Sequence, residues 1–89
     1  MSAKEMFEKL GFIEEQSPMY ENCIWYKTND NYFNREIKFY KKDKLIYNNL
    51  IYGGFQMNGS CPIYPELLQA INKQIEELGW NDNNVWFRR

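Results

Sequence analysis

The segment "INKQIEELGW" (residues 71–80) decides the fold, because it predicts both an amphipathic helix and the point where that helix ends. Glycine readily takes the left-handed conformation that closes a helix, so Gly79 is the predicted end. The segment "EMFEKLGF" (residues 5–12) ends in the same Leu-Gly-aromatic order. In a Schellman ending, the residue after the glycine packs on the residue five positions before it. The predicted contacts are Phe7 with Phe12 and Ile75 with Trp80.

Two amphipathic helices are predicted, one near each end of the chain. The first covers residues 2–10 and begins with a capping box, in which Ser2 and Glu5 bond each other's backbone amides. The second covers residues 65–78 and begins at Pro65, whose missing N–H suits the first turn of a helix. The predicted buried stripe of the second helix consists of Leu67, Leu68, Ile71, Ile75 and Leu78.

Between the helices, the apolar period changes from 3.6 residues to two, which predicts strands. Three strands are predicted at about residues 22–28, 35–40 and 45–52, and residues 55–57 are a candidate fourth. The pair Asn48-Asn49 is a candidate bulge or break in the third strand, and residues 81–89 form a tail.

The order α-β-β-β-α predicts an α+β fold, a two-layer sandwich in which both helices cover one face of an antiparallel three- to four-stranded meander. The predicted helix-facing sheet residues are Ile24, Tyr26, Ile37, Phe39 and Ile46.

Composition limits the class of function. The chain has 89 residues, which we interpret as one domain, and 44% of them are hydrophobic. It has no histidine, which removes the commonest general base and metal ligand, and it has no phosphate-binding glycine loop. We predict a protein that is not an enzyme and that uses no cofactor and no metal. The lack of an export signal or a membrane-spanning apolar run predicts a cytoplasmic protein in which Cys23 and Cys61 are free thiols.

Alternation and a hairpin loop at residues 41–44 predict a second sheet face, pointing away from the helices. In this register Tyr40 lies opposite Leu45, and Lys38 lies opposite Tyr47. We call this the outward face; its predicted residues are Trp25, Lys27, Lys38, Tyr40, Leu45 and Tyr47. Such a face can bind a protein or stack the bases of single-stranded nucleic acid, or its aromatic residues can simply reflect strand preference.

The middle of the chain is basic, although the formal net charge of the whole is −1. Residues 35–52 contain five basic and two acidic residues. The predicted hairpin turn carries a basic tip, formed by Lys41, Lys42 and Lys44. Such a tip either contacts phosphates or keeps the hairpin soluble.

The segments "SAKEMFEKLGF" (residues 2–12) and "LLQAINKQIEELGW" (residues 67–80) resemble the two ends of small proteins encoded by phages, prophages and mobile elements of Gram-positive bacteria. The resemblance covers about a third of the chain closely and the middle only in layout. It implies a cytosolic accessory protein without transferable catalytic residues. Small phage proteins of this size often bind and block host proteins, including defence nucleases.

The predicted function is therefore non-catalytic binding of a host or phage protein, with inhibition of a host process or defence system as one form of it. The first alternative is a small single-stranded nucleic-acid-binding module that uses the outward face. The second alternative is a structural module that self-associates through an exposed edge strand.

Overall fold

The computed structural model describes residues 1–16, 22–30, 33–53, 55–57 and 61–80, so the predicted tail at 81–89 lies outside the described residues. The elements, in chain order, are α1 (Ala3–Lys9), β1 (Phe12–Glu15), β2 (Cys23–Thr28), β3 (Phe33–Tyr40), β4 (Leu45–Tyr52), β5 (Phe55–Met57) and α2 (Pro65–Glu77). The five strands form one antiparallel sheet in the order β1-β2-β3-β4-β5. The α+β fold with helices packed on a meander is confirmed.

The sheet is one strand wider than the widest predicted meander, because Phe12–Glu15 forms an edge strand that the sequence pattern does not predict. The sequence of β1 contains two glutamates and only four residues, which is a weak strand signal. The strand forms because Gly11, with φ of 92°, ends α1 and redirects the chain. Phe12 then lies opposite Thr28 of β2.

Both helix ends follow the predicted chemistry. Ser2 caps α1 in a reciprocal capping box with Glu5. The rings of Phe7 and Phe12 meet edge to face, with centroids 5.6 Å apart. At the end of α2, Gly79 has φ of 75°, and the following tryptophan amide donates to the Ile75 carbonyl at 3.1 Å. Each glycine therefore ends a helix and directs the next residues back toward it.

The core lies between the helices and strands β1 to β3. Its buried residues are Phe7, Phe12, Tyr26, Ile37, Phe39, Leu67, Ala70 and Ile71. The rings of Phe7 and Tyr26 stack with centroids 4.1 Å apart, which joins α1 directly to the middle of the sheet. Because both helices contribute to one cluster with the same sheet face, both cover that face.

One position in the predicted buried stripe of the second helix is wrong. Leu68 is 47% exposed, because the buried side of α2 is centred on Leu67, Ala70, Ile71 and Gln74. Ile46 lies on the predicted helix-facing side, opposite the buried Phe39, but it is 36% exposed because the buried strand residues of the core cluster come from β1, β2 and β3 and not from β4.

The predicted bulge at Asn48-Asn49 is also wrong, since β4 pairs with β3 without interruption. Asn48 lies opposite Ile37, and Asn49 lies opposite Glu36. Both asparagines remain in the strand because their side chains have hydrogen-bond partners. Asn48 donates to the Cys61 carbonyl at 3.0 Å, and Asn49 donates to a Glu36 carboxylate oxygen at 3.2 Å.

The two helices are tied together where α1 begins and α2 ends. A carboxylate oxygen of Glu77 accepts a hydrogen bond from the backbone amide of Ala3 at 2.8 Å. Glu77 lies at the unfavourable end of its own helix dipole and at the favourable end of the α1 dipole. In the part of the chain that the structure describes, no helix is long and apolar enough to cross a membrane.

Candidate functional site

The strand register brings the predicted residues of the outward face together. Lys38 lies opposite Trp25 on β2 and opposite Tyr47 on β4. In the next row, Tyr40 lies opposite Leu45, as the hairpin register predicts. Side chains alternate along each strand, so these residues lie on the face opposite the buried Tyr26, Ile37 and Phe39, and Lys27 shares that face. Their role in binding stays a prediction.

The outward face exposes apolar and aromatic surface at the end near the β3–β4 turn. Leu45 is 45% exposed and Tyr47 is 47% exposed. The rings of Tyr40 and Tyr47 meet at right angles, with centroids 5.2 Å apart, so these two tyrosines hold each other in place. A shallow, open depression runs beside them; its lining residues are Lys38, Tyr40, Asp43, Leu45, Tyr47 and Asn49.

A buried carboxylate lies in the middle of the outward face. Glu36 is only 5% exposed, and both of its oxygens have donors. One oxygen accepts from the indole Nε1 of Trp25 at 3.0 Å. The other accepts from Asn49 at 3.2 Å and lies 3.7 Å from the Lys38 ammonium. Burying a carboxylate is costly unless it is bonded and paired, and these three partners provide both.

The same cluster fixes the position of the central lysine. The Lys38 ammonium lies 5.1 Å from the centre of the Trp25 ring, within the range of a cation–π interaction. Its side chain is 15% exposed. The positive charge of Lys38 is therefore offset by Glu36, and the centre of the outward face carries no net charge.

The predicted basic tip lies in the four-residue turn between β3 and β4. Lys41, Lys42 and Lys44 are all exposed there. Lys44 has φ of 56°, the left-handed residue that completes a four-residue hairpin turn. The tip adjoins the row formed by Tyr40 and Leu45, so its charge lies at the border of the outward face.

Sequence reasoning missed two groups of residues on this face. Glu36 and Asn49 are absent from the predicted site, although the predicted register of Lys38 with Tyr47 also places them opposite each other. Ile13 and Glu15 are absent because β1 is not predicted; they lie opposite Lys27 and Trp25. The strand register could have placed Glu36 and Asn49 on this face from the sequence. No comparable sequence signal placed Ile13 and Glu15 there.

A second polar cluster, on the helix-facing side of β4, has a structural role. Asn48 accepts hydrogen bonds from Arg35 at 3.4 Å and from the Cys61 thiol at 3.2 Å. Arg35 also donates to the Pro62 carbonyl at 2.5 Å and lies over the Tyr64 ring. These contacts hold the segment before α2 against the sheet.

The two cysteines lie on opposite sides of the sheet and are free thiols. Cys23 is on the outward face, and burial raises the pKa of its thiol, which lowers its reactivity at neutral pH. Cys61 bonds to Asn48 on the helix-facing side. The described residues contain no group of three or more metal-ligating side chains.

Comparison with known proteins gives no identification: family models, curated proteins and solved structures yield no match to this chain. The outward face is therefore the feature of the molecule that bears on its function.

Proposed function

We propose that this protein is a non-catalytic binding module that docks a partner protein on the outward face. One observation carries the proposal: the sheet face opposite both helices exposes Leu45 and Tyr47 beside a fixed cluster of polar and aromatic side chains. Aromatic anchors surrounded by ordered contacts are typical of the residues that dominate binding energy in protein interfaces.

The charge of the outward face favours a protein over a polyanion. Glu36 offsets Lys38 at the centre, so the positive charge is confined to the tip at the border. The cores of protein interfaces are depleted of charge and enriched in tyrosine and tryptophan. The partner that fits is a protein with an apolar, uncharged contact region that covers Tyr40, Leu45 and Tyr47.

For the biological setting, we propose the one that the sequence resemblance of the two chain ends to phage- and prophage-encoded proteins implies. In that setting the module is a cytoplasmic accessory protein that binds a host or phage protein and inhibits a host process or a defence system. The chain has no histidine, the commonest general base, and the proposed role assigns no residue to catalysis.

Retention of a host protein tests this proposal with a matched pair of variants. Leu45→Asp places a charge on the outward face, and Leu68→Asp places the same charge on a helix residue of similar exposure, 47% against 45%. The immobilised wild type should retain a specific protein from a Gram-positive lysate. Leu45→Asp should lose it, and Leu68→Asp should keep it. Equal retention by both variants, or no specific retention by the wild type, contradicts the proposal.

Single-stranded nucleic acid is the second candidate, and the exposed basic tip favours it. Lys41, Lys42 and Lys44 lie beside the aromatic rows, where they are placed to contact phosphates. Salt-dependent quenching of tryptophan fluorescence by an oligonucleotide would support this candidate. No quenching at low salt would remove it.

A further inference from the structure

We propose that Glu36 is a specificity-determining residue that keeps single-stranded nucleic acid off the outward face. This inference rests on the proposed function, because it takes the outward face as the recognition surface. It adds a selection against single-stranded nucleic acid, and it assigns that selection to Glu36, which the sequence did not predict as a site residue.

The face contains the parts of a base-stacking platform, and Glu36 contacts two of them. Proteins that bind single strands combine cations for the phosphates with exposed aromatic rings for the bases. Lys38 and Trp25, one cation and one aromatic ring, lie opposite each other on neighbouring strands. Glu36 pairs with the Lys38 ammonium at 3.7 Å and accepts the indole hydrogen bond of Trp25 at 3.0 Å.

The pairing of Glu36 with Lys38 opposes both phosphate binding by Lys38 and base stacking on Trp25. The Lys38 charge is offset by a carboxylate that is only 5% exposed, so an incoming phosphate meets a neutral centre and the repulsion of Glu36. The Lys38 ammonium also lies 5.1 Å from the centre of the Trp25 ring, where a stacked base would have to lie. The Lys38 ammonium therefore covers one face of the Trp25 ring, and a base cannot stack on that face.

The chain provides a matched control for the change in charge. Glu15 lies opposite Trp25 on β1, is exposed, and shares the outward face. Glu15→Gln and Glu36→Gln alter the net charge equally, but the Glu36 carboxylate lies 3.7 Å from the Lys38 ammonium. A difference between the variants reports release of Lys38 rather than general electrostatics.

The experiment measures binding of a fluorescently labelled single-stranded oligothymidine over a series of salt concentrations. Glu36→Gln should bind about fivefold more tightly than Glu15→Gln at low salt, the equivalent of one surface ion pair. Its plot of log K against log salt should be steeper by about 0.7, the value for one added phosphate contact on a single strand. Equal affinity of the two variants overturns the inference, and so does a wild type that binds as tightly as Glu36→Gln.

A second pair of variants keeps the inference testable if Glu36→Gln does not fold. In the wild-type background, Lys38→Gln should weaken oligothymidine binding no more than Lys27→Gln, because Glu36 already offsets the Lys38 charge. A clearly larger loss for Lys38→Gln overturns the inference. Thermal melts of all variants establish which of them are folded.

The two proposals fail separately. A host protein that is lost on Leu45→Asp, together with equal oligothymidine affinity of Glu36→Gln and Glu15→Gln, leaves the protein-binding function standing and removes the role of Glu36. Tighter oligothymidine binding by Glu36→Gln, without any retained host protein, supports the role of Glu36 and removes the protein-binding function.

Discussion

At the scale of single residues, one buried polar pair joins the two layers of the fold. Tyr26 is 2% exposed and Gln74 is 4% exposed, and the tyrosine hydroxyl donates to the glutamine Oε1 at 2.6 Å. A buried polar group without a partner costs free energy, so each of these side chains depends on the other. The pair fixes the rotation of α2 over the sheet.

Removing one partner should therefore cost more than removing both. Tyr26→Phe should lower the free energy of unfolding by about 1–3 kcal/mol, because it leaves the buried Gln74 amide oxygen without a donor. The double variant Tyr26→Phe/Gln74→Leu should recover part of that loss. Urea denaturation measures both, with Tyr47→Phe on the exposed surface as the control, expected within about 0.5 kcal/mol of the wild type. Strictly additive losses would contradict the coupling.

The same tyrosine predicts a sensitivity to alkaline pH. Burial raises the pKa of the Tyr26 phenol, and the carboxylates of Glu14, Glu77 and Glu8 raise it further. The unfolded chain loses this proton at about pH 10, whereas the folded chain keeps it, so the unfolded state binds fewer protons above that pH. Stability should therefore fall as pH rises above about 10. Urea midpoints against pH should fall less steeply for Tyr26→Phe; identical slopes would show that another group is responsible.

At the scale of elements, a glycine ends each helix and sets the direction in which the chain continues. Gly11 has φ of 92°, and a Cβ built there meets nothing within 4 Å. The position therefore demands glycine for its backbone conformation and not for lack of space.

Gly11→Ala should destabilise the fold by about 1–2 kcal/mol, the cost of a left-handed conformation for an L-residue. Gly11→Asn should cost less, because asparagine adopts positive φ more easily. Chemical denaturation compares the three proteins. An alanine variant as stable as the wild type would show that the turn into β1 has another conformation available.

The local elements were predictable from sequence because their signals are local. The capping box of Ser2 and Glu5, the glycine ends and the hairpin register at Lys38 and Tyr47 depend on residues close in the chain. The edge strand β1 was not predictable, because its four residues include two glutamates and have a weak strand preference of their own. Antiparallel pairing with β2 stabilises the strand.

The candidate site was predictable only in part, for a related reason. Alternation places Trp25, Tyr40 and Tyr47 on one face, but it cannot show which charges are neutralised there. The burial of Glu36 depends on donors from β2, β3 and β4 together. The burial of Gln74 likewise depends on a hydroxyl 48 residues away, whereas its residue type predicts an exposed position.

At the scale of the whole molecule, the helix layer is closed by a contact between distant parts of the chain. The carboxylate of Glu77 accepts from the Ala3 amide, 74 residues earlier, and Ala3 is fully buried. The neighbouring Glu76, by contrast, pairs with Lys73 at 3.2 Å on the exposed surface. These adjacent glutamates are therefore expected to contribute differently to the free energy of unfolding.

Glu77→Ala should lower the free energy of unfolding by about 1–2 kcal/mol, because it removes a charged acceptor from a helix N-terminus. Glu76→Ala, the matched control, should change it by no more than about 0.5 kcal/mol, as expected for an exposed ion pair. Thermal unfolding of the two variants measures the difference. Equal losses would mean that the contact with Ala3 contributes nothing beyond surface charge.

The bond between Glu77 and Ala3 also orders events during synthesis. Each strand of the meander can pair with its predecessor as soon as it leaves the ribosome, because those partners are close in sequence. The opening turn of α1 is translated before the sheet, yet the carboxylate that accepts the Ala3 amide is translated 74 residues later. The contact between α1 and α2 therefore forms only after strands β1 to β5 have been translated, and until then the sheet face that α2 covers is exposed to solvent.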